Sequence, residues 1–248
     1  MKVWIVGIAG HMGQAVLQLC RESGVEIAGG IDRSPIADAD VPVLPCFDGA
    51  PVMGDAIIDF SRPETLASTL RYATENRIPA VIATTGFTPA QLAAIDEAAK
   101  VTPIFRSANM SVGIALIRQL ARKAAQVLGD GFDVEIVEAH HNRKADAPSG
   151  TALMLYDAVK DAFDEEPPMV CGRSGSSCKR QKGEIGVHSL RGGTVTGEHE
   201  VCFFGPMERV RICHSAENRA VFAAGALKAA AFLRGRQPGL YTMDDLVG

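Results

Sequence analysis

The strongest constraint on the fold is an alternation of short apolar runs with helix-length amphipathic stretches. It begins at Lys2 and continues to Ser107. KVWIVG, Lys2 to Gly7, is continuous, β-branched and closed by glycine, which predicts a buried strand. Met12 to Arg21 follows with apolar residues at Met12, Ala15, Val16 and Leu19, the spacing of a helix face. VEIAGGI, Val25 to Ile31, predicts a second strand, and Asp32 closes it. The pattern repeats: strand AIIDF (Ala56 to Phe60), helix Pro63 to Asn76, strand PAVIATT (Pro79 to Thr85), helix Pro89 to Lys100, strand TPIFRS (Thr102 to Ser107). Proline at the first turn of two of these helices suits a position whose N–H has no helical partner. Such alternation implies a parallel sheet with helices on both faces.

The turn after the first strand reads Gly7-Ile8-Ala9-Gly10-His11-Met12-Gly13. Its G-x-x-G-x-x-G spacing allows a tight turn and lets backbone N–H groups approach a pyrophosphate at a helix N-terminus. Asp32 stands at the end of the next strand, where an acid binds an adenine ribose hydroxyl. Arg33 beside it could pair with a 2'-phosphate. Glycines that only form a strand-to-helix turn are the plain alternative. The strand, helix and acid around them favour a dinucleotide site in a Rossmann-type doubly wound α/β domain. Ala83-Thr84-Thr85-Gly86 and Ser107-Ala108-Asn109-Met110 end two further strands, on the side where such sheets bind ligands.

After Asn109 the texture changes. Val112 to Leu128 predicts a long amphipathic helix, Phe132 to Ala139 a strand, and Thr151 to Phe163 a helix. GEIGVHSLRGG, TVTGEHEVCFFG and ERVRICHSA then suggest an antiparallel meander, and Arg219 to Arg234 an alanine-rich, closely packed helix. The expected organisation is a dinucleotide-binding domain over 1–110 and a second α+β domain over 111–218 on a mostly antiparallel sheet. The segment 219–248 is expected to return to the first domain.

Between the strand and helix of that second domain lies EAHHNRKADAPSGTA, Glu138 to Ala152. Adjacent histidines on a strand point to opposite faces and serve poorly as joint metal ligands. A histidine that exchanges protons near neutrality, a lysine four residues on, and a helix N-terminus with Ser149 and Thr151 hydroxyls describe an acid beside an anion cup. A solvated loop with an ordinary Ser/Thr cap remains the plain alternative. No metal is expected. His188, His199 and His214 lie in later strands and read as structural or interface residues.

The net charge of −4 gives no support to nucleic-acid or polybasic membrane binding. The opening MKVWIVGIAGHMG lacks the length of a secretory apolar region, and no run suits a bilayer span, so a cytoplasmic protein with no membrane partner is expected. Six cysteines without a C-x-x-C pair, most in apolar surroundings, suggest reduced, buried thiols.

The string E-x-HH-x-x-K-x-DAPSGTA is highly specific. Together with GIAGHMG, ATTGF, SANMSVG, LRGGTVTGEHEV, HSAENRAVFAAGALKAAAFL and GLYTMDDLV, it resembles the dihydrodipicolinate (4-hydroxy-tetrahydrodipicolinate) reductases of bacterial lysine and diaminopimelate synthesis. The resemblance spans nearly the whole chain. It implies NADH- or NADPH-dependent reduction of a small cyclic dicarboxylate, 4-hydroxy-tetrahydrodipicolinate, to tetrahydrodipicolinate with loss of water. Carried over by position, His140 is the proton donor/acceptor and Lys144 the proton donor. The resemblance likewise implies that His141, Gly150 and Thr151 bind substrate. By the same resemblance, Gly7, Ile8, Ala9, Gly10, His11, Met12, Asp32, Arg33, Ala83, Thr84, Thr85, Ser107, Ala108, Asn109 and Met110 are expected to contact the cofactor. The family implies a homotetramer built through the sheet of the second domain.

His11 stands where the family often has arginine or lysine, and Ala83 where it often has glycine. Less charge near a 2'-phosphate implies use of both cofactors with a lean toward NADH. Two other readings share the first domain: an amino- or oxo-acid dehydrogenase such as an aspartate dehydrogenase, and a nucleotide-binding protein without turnover.

Overall fold

The structure, a computed structural model, describes residues 1–34 and 40–248. In chain order the elements are β1 (Lys2–Val6), α1 (His11–Ser23), β2 (Glu26–Ile31), β3 (Val43–Leu44), β4 (Ala56–Asp59), α2 (Leu66–Asn76), β5 (Ala80–Ile82), α3 (Pro89–Ala99), β6 (Pro103–Arg106) and α4 (Val112–Leu128). There follow β7 (Asp133–His140), α5 (Gly150–Lys160), β8 (Met169–Cys171), β9 (Ile185–Arg191), β10 (Glu198–Phe204), β11 (Arg209–Ser215), α6 (Ala220–Leu233), β12 (Gly239–Tyr241) and α7 (Met243–Val247). The chain divides into two compact units, Met1–Val112 with Arg219–Gly248, and Gly113–Asn218.

The first unit carries a seven-stranded sheet in the order β12-β6-β5-β4-β1-β2-β3, and every pairing in it is parallel. Its inner strands are apolar on both faces because helices cover both. Trp4, Phe47 and Tyr72 form an aromatic centre on one side: Phe47 stacks on Tyr72 with ring centroids 4.2 Å apart, and Trp4 meets Phe47 edge-on. The Trp4 indole donates to the Met53 carbonyl at 2.8 Å, so the buried ring leaves no unsatisfied donor. The helix α3 begins where Thr88-Pro89 indicates, with a capping box between Thr88 and Gln91. The alanines of α6 bring it close to α1 and to the strands β4, β5 and β6. A Cβ at Gly225 would stand 1.6 Å from the Met110 carbonyl oxygen, so only glycine lets this helix approach the segment after β6.

The second unit carries a five-stranded sheet, β11-β10-β7-β9-β8. The β10–β11 and β10–β7 ladders are antiparallel with seven register pairs each. The β7–β9 and β8–β9 ladders are parallel, with seven and three. The core face of β7 (Val134, Ile136, Glu138, His140) is buried. Val134 and Ile136 pack with residues of α4 and α5, including Ile117, Ala121, Leu155 and Val159.

The expected meander is therefore corrected. β9 and β10, consecutive in sequence, are not neighbours, because β7 lies between them. The Gly192-Gly193 turn carries the chain across the end of β7: Gly192 donates to the His140 carbonyl, and Asn142 donates to that of Gly193. The cysteines also differ from expectation. All six are free, but only Cys20 and Cys202 are buried, whereas Cys171, Cys178 and Cys213 are exposed. No helix among the described residues is long and apolar enough to cross a membrane.

Candidate active site

In the first unit the chain steps from β1 to β2 and β3 in one direction, and through β4, β5 and β6 in the other. Open α/β sheets bind ligands at such a reversal, outside the strand carboxyl ends. A cavity of about 440 Å³ opens there, lined among others by Gly7, Ala9, Gly10, Asp32, Arg33 and Arg62. The turn that shapes it is held by backbone bonds, Gly7 donating to Ile31 and Gly10 to Gly7. Gly10 is the N-cap of α1 and has no side chain to occupy the helix N–H groups. Asp32 Oδ2 accepts from the Ala9 N–H at 3.0 Å and Oδ1 from the Ser34 N–H at 3.0 Å, which fixes the acid against the turn. A bare helix N-terminus, a cavity and a fixed carboxylate suit an elongated anion carrying sugar hydroxyls, so these residues fit a dinucleotide.

Met12, Ala83, Ala108, Asn109 and Met110 line a second cavity of about 280 Å³ in this unit. The other sequence-predicted residues lie differently. Ile8 is fully buried in the core, so only its backbone can face a ligand. His11 and Thr85 are exposed. The Ser107 hydroxyl donates to the Asn109 carbonyl at 2.6 Å, shaping the turn after β6. Thr84 is buried and donates to Asp59 at 2.9 Å. Burial pushes the Asp59 carboxyl above its ordinary value, against hydrogen bonds from Ser61, Thr84 and Thr69. Sequence reasoning missed Arg62 in the larger cavity and Phe60, Arg219 and Phe222 in the smaller. DFSRPE, which runs off the carboxyl end of a predicted strand, was the available signal for the first two.

In the second unit the end of β7 and the start of α5 gather the polar residues. Period-two alternation buries Glu138 and His140 together on the core face. His140 Nδ1 lies 2.6 Å from Glu138 Oε2. Arg191, on the neighbouring β9, donates to both Glu138 oxygens at 2.8 Å and to the Asp146 carbonyl at 2.7 Å. The Ser149 N–H donates to Glu138 Oε1 at 3.0 Å. Burial alone would raise the Glu138 carboxyl; hydrogen bonds from Arg191, His140, Ser189 and the Ser149 backbone instead bring it down to about 2. Lys144 Nζ lies 2.9 Å from Asp146 Oδ1, and this bond holds the Asp146 carboxyl below its ordinary value.

The Ser149 hydroxyl accepts from the Ala152 N–H and bonds His199 Nε2, both at 3.2 Å. Ser149 is almost fully buried. Its hydroxyl is thus an N-cap and not a wall of the expected anion cup. Gly150 and Thr151 form the first turn of α5, where helix N–H groups point out of the helix end. His199 proves to belong to this cluster, with its ring edge-on to His140 at 5.2 Å between centroids. The pairing of β10 with β7 sets His199 opposite Glu138, a register that no local sequence signal shows. His188 instead faces Glu135, 2.6 Å away. Among the described residues no group of three or more histidine, cysteine or acidic side chains is arranged to hold a metal ion.

Burial lowers the His199 ring from its ordinary 6.5 to about 4, and the neighbouring His140 adds to this. The folded state thus binds this proton more weakly than the unfolded chain, so stability falls as pH drops from about 6.5 to about 4. That shift corresponds to about 3 kcal/mol. Urea unfolding followed by circular dichroism at the two ends of this range should show the loss, and His199→Asn should flatten it. Equal slopes in both proteins would exclude His199 as the cause.

A family model described as "Dihydrodipicolinate reductase, N-terminus" matches residues 1–110, and its C-terminal counterpart matches residues 113–247. The chain is 47% identical to a 4-hydroxy-tetrahydrodipicolinate reductase of Caldanaerobacter subterraneus subsp. tengcongensis, covering 100% of this chain and 98% of the relative. It is 44% identical to the enzyme of the same name from Clostridium tetani, over 98% of this chain and 96% of that one. The fold matches that of the dipicolinate-bound dihydrodipicolinate reductase from Paenisporosarcina sp. TG-14 with a TM-score of 0.82 at 24% identity, over 99% and 98% of the two chains. Two family models that together span almost every residue, and relatives this similar over their full length, show that the chain belongs to the dihydrodipicolinate reductase family.

Proposed function

We propose that this chain reduces 4-hydroxy-tetrahydrodipicolinate to tetrahydrodipicolinate with loss of water, using NADH or NADPH, in lysine and diaminopimelate synthesis. The observation that carries the reading is the Glu138–His140–Arg191 cluster set beside the first turn of α5. It places a histidine held by a carboxylate next to helix N–H groups suited to a substrate carboxylate. A reduced nicotinamide supplies a hydride when bound. Gly7, Ala9, Gly10 and Met12 would hold the cofactor's phosphates and neighbouring groups, Asp32 its ribose, and Ala83 and Ala108 to Met110 its other end. The remaining backbone at Ile8, His11, Thr84, Thr85 and Ser107 borders the same strand ends.

His140 acts as proton donor and acceptor, and Lys144 as proton donor; acid groups so placed lower the barrier for protonating the reduced ring. His141 binds substrate, and Gly150 with Thr151 grips a substrate carboxylate. Residues 1–110 with 219–248 serve as the dinucleotide domain, and 111–218 as the substrate and oligomerisation domain. A cytoplasmic homotetramer assembled through the second sheet fits the reading. Leu190, on the sheet face opposite the α4 and α5 core, is 57% exposed and would be covered in such an assembly.

The test is oxidation of NADH by the purified chain with substrate freshly made from pyruvate and aspartate semialdehyde. Turnover is expected with both cofactors, with NADH favoured. Asp32 recognises a ribose diol, Arg33 a 2'-phosphate, and His11 adds less fixed charge than arginine would. Arg33→Ala should lower kcat/KM for NADPH by about tenfold and leave NADH nearly unchanged. No turnover would reject the function, and a large NADPH advantage abolished by Arg33→Ala would reject the NADH preference. An aspartate dehydrogenase would share the first unit but has no need of the His-His-x-x-Lys-x-Asp-Ala-Pro-Ser-Gly-Thr string.

A further inference from the structure

Glu138 exchanges no proton with substrate in the proposed reaction, yet it is one of the most completely bonded side chains in the second unit. It is wholly buried. Its Oε2 faces His140 Nδ1 at 2.6 Å and Arg191 Nη1 at 2.8 Å; its Oε1 accepts from Arg191 Nη2 at 2.8 Å and the Ser149 N–H at 3.0 Å. We propose that Glu138 and Arg191 are positioning residues that keep the proton on His140 Nδ1, leaving Nε2 as the only nitrogen that exchanges protons with substrate. The proposal rests on the reading of His140 as the proton donor/acceptor.

An ionised carboxylate only accepts hydrogen bonds. With Arg191 forked across both oxygens, Glu138 stays ionised, so the 2.6 Å contact requires a proton on Nδ1 whether the ring is neutral or charged. The neutral ring then carries its lone pair at Nε2, and the charged ring releases its proton from the same atom. That edge is left open by Gly197, since a Cβ there would stand 3.2 Å from Nε2. Arg191 has a second effect. It balances the Glu138 charge, so the ring faces a paired carboxylate and not a bare buried anion. It also grips the Asp146 carbonyl, and Asp146 in turn holds Lys144, so one guanidinium sets both proposed proton donors.

The charged and titratable groups on the elements around the ring are Glu138 on β7, Arg191 on β9, His199 on β10, and Lys144 with Asp146 on the loop; His214 on β11 lies beyond, opposite His199. His199 is held neutral by burial, with its ordinary value lowered to about 4. Changes at Glu138 and Arg191 should therefore dominate any shift in the pH profile.

Glu138→Gln keeps the shape but offers an amide that can either donate or accept. In histidine-labelled protein, nitrogen chemical shifts should show His140 protonated at Nδ1 throughout neutral pH, and a mixture of tautomers in Glu138→Gln. This variant should lose at least about tenfold in kcat with KM changed far less. Arg191→Lys keeps a charge but not the fork, and should likewise let the His140 tautomers mix and lower kcat with a smaller change in KM. A wild-type His140 protonated at Nε2 alone would overturn the proposal. So would a folded Glu138→Gln protein with wild-type kcat and pH profile. The wild-type spectrum decides even if a variant does not fold. It is also independent of the assay: failure of wild type to turn over substrate would reject the function, whereas the wrong tautomer in an active enzyme would reject only this inference.

Discussion

His140→Gln and Lys144→Ala should each lower kcat by about two powers of ten or more, with a smaller change in KM. Glutamine at 140 can still donate to Glu138, so the bonds that join β7, β9 and α5 persist while the exchangeable proton is lost. Alanine at 144 removes the ammonium that pairs with Asp146 at 2.9 Å and leaves the surrounding backbone turn, Lys144 N–H to the His141 carbonyl, in place. Both substitutions thus remove an acid with little structural cost. Steady-state kinetics with unfolding curves for each variant makes the check: near-normal kcat in both proteins would remove them from the chemistry.

The second large effect is expected at Gly13. A Cβ there would lie 2.1 Å from the Gly7 carbonyl oxygen and 2.6 Å from Ile8 Cα, and both are backbone atoms that cannot rotate away. Gly13→Val should cost about 3 kcal/mol through overpacking. It should also weaken NADH binding, measured by calorimetry, by at least about tenfold, because the displaced turn is the one that lines the cavity and leads into the N-terminus of α1. Gly10→Ala is the graded comparison. Its Cβ would meet the Gly7 carbonyl oxygen at 3.2 Å, a contact that small adjustments relieve, so a milder loss is expected. Equal behaviour of the two variants would show that the turn tolerates movement.

The first unit was largely legible in the sequence. The strand KVWIV, the glycine turn and Asp32 are local signals, and each sits within a few residues of the element it specifies. Ile8 shows the limit of carrying contacts over by position: it lies inside the glycine motif, yet its side chain belongs to the core. Strands of two or three residues, such as β3, β8 and β12, are too short to show a period. The insertion of β7 between β9 and β10 is a long-range choice that no local pattern encodes. Much of the second-unit cluster depends on it: Arg191 and His199 reach Glu138 and His140 only because their strands flank β7 on opposite sides. Glu138 itself was within reach, since a residue two positions before His140 on a strand must share its face.

Trp4 is the only tryptophan in the chain. It is fully buried in the first unit, against Phe47 and Tyr72. Intrinsic fluorescence excited at the indole band is therefore a reporter of one unit and blind to the other. Backbone ellipticity reports both. If the units melt independently, the emission transition should follow only the nucleotide-side unit, and acid destabilisation centred on His199 should pass unseen by it. Coincident fluorescence and ellipticity transitions would mean that the two units unfold as one cooperative body.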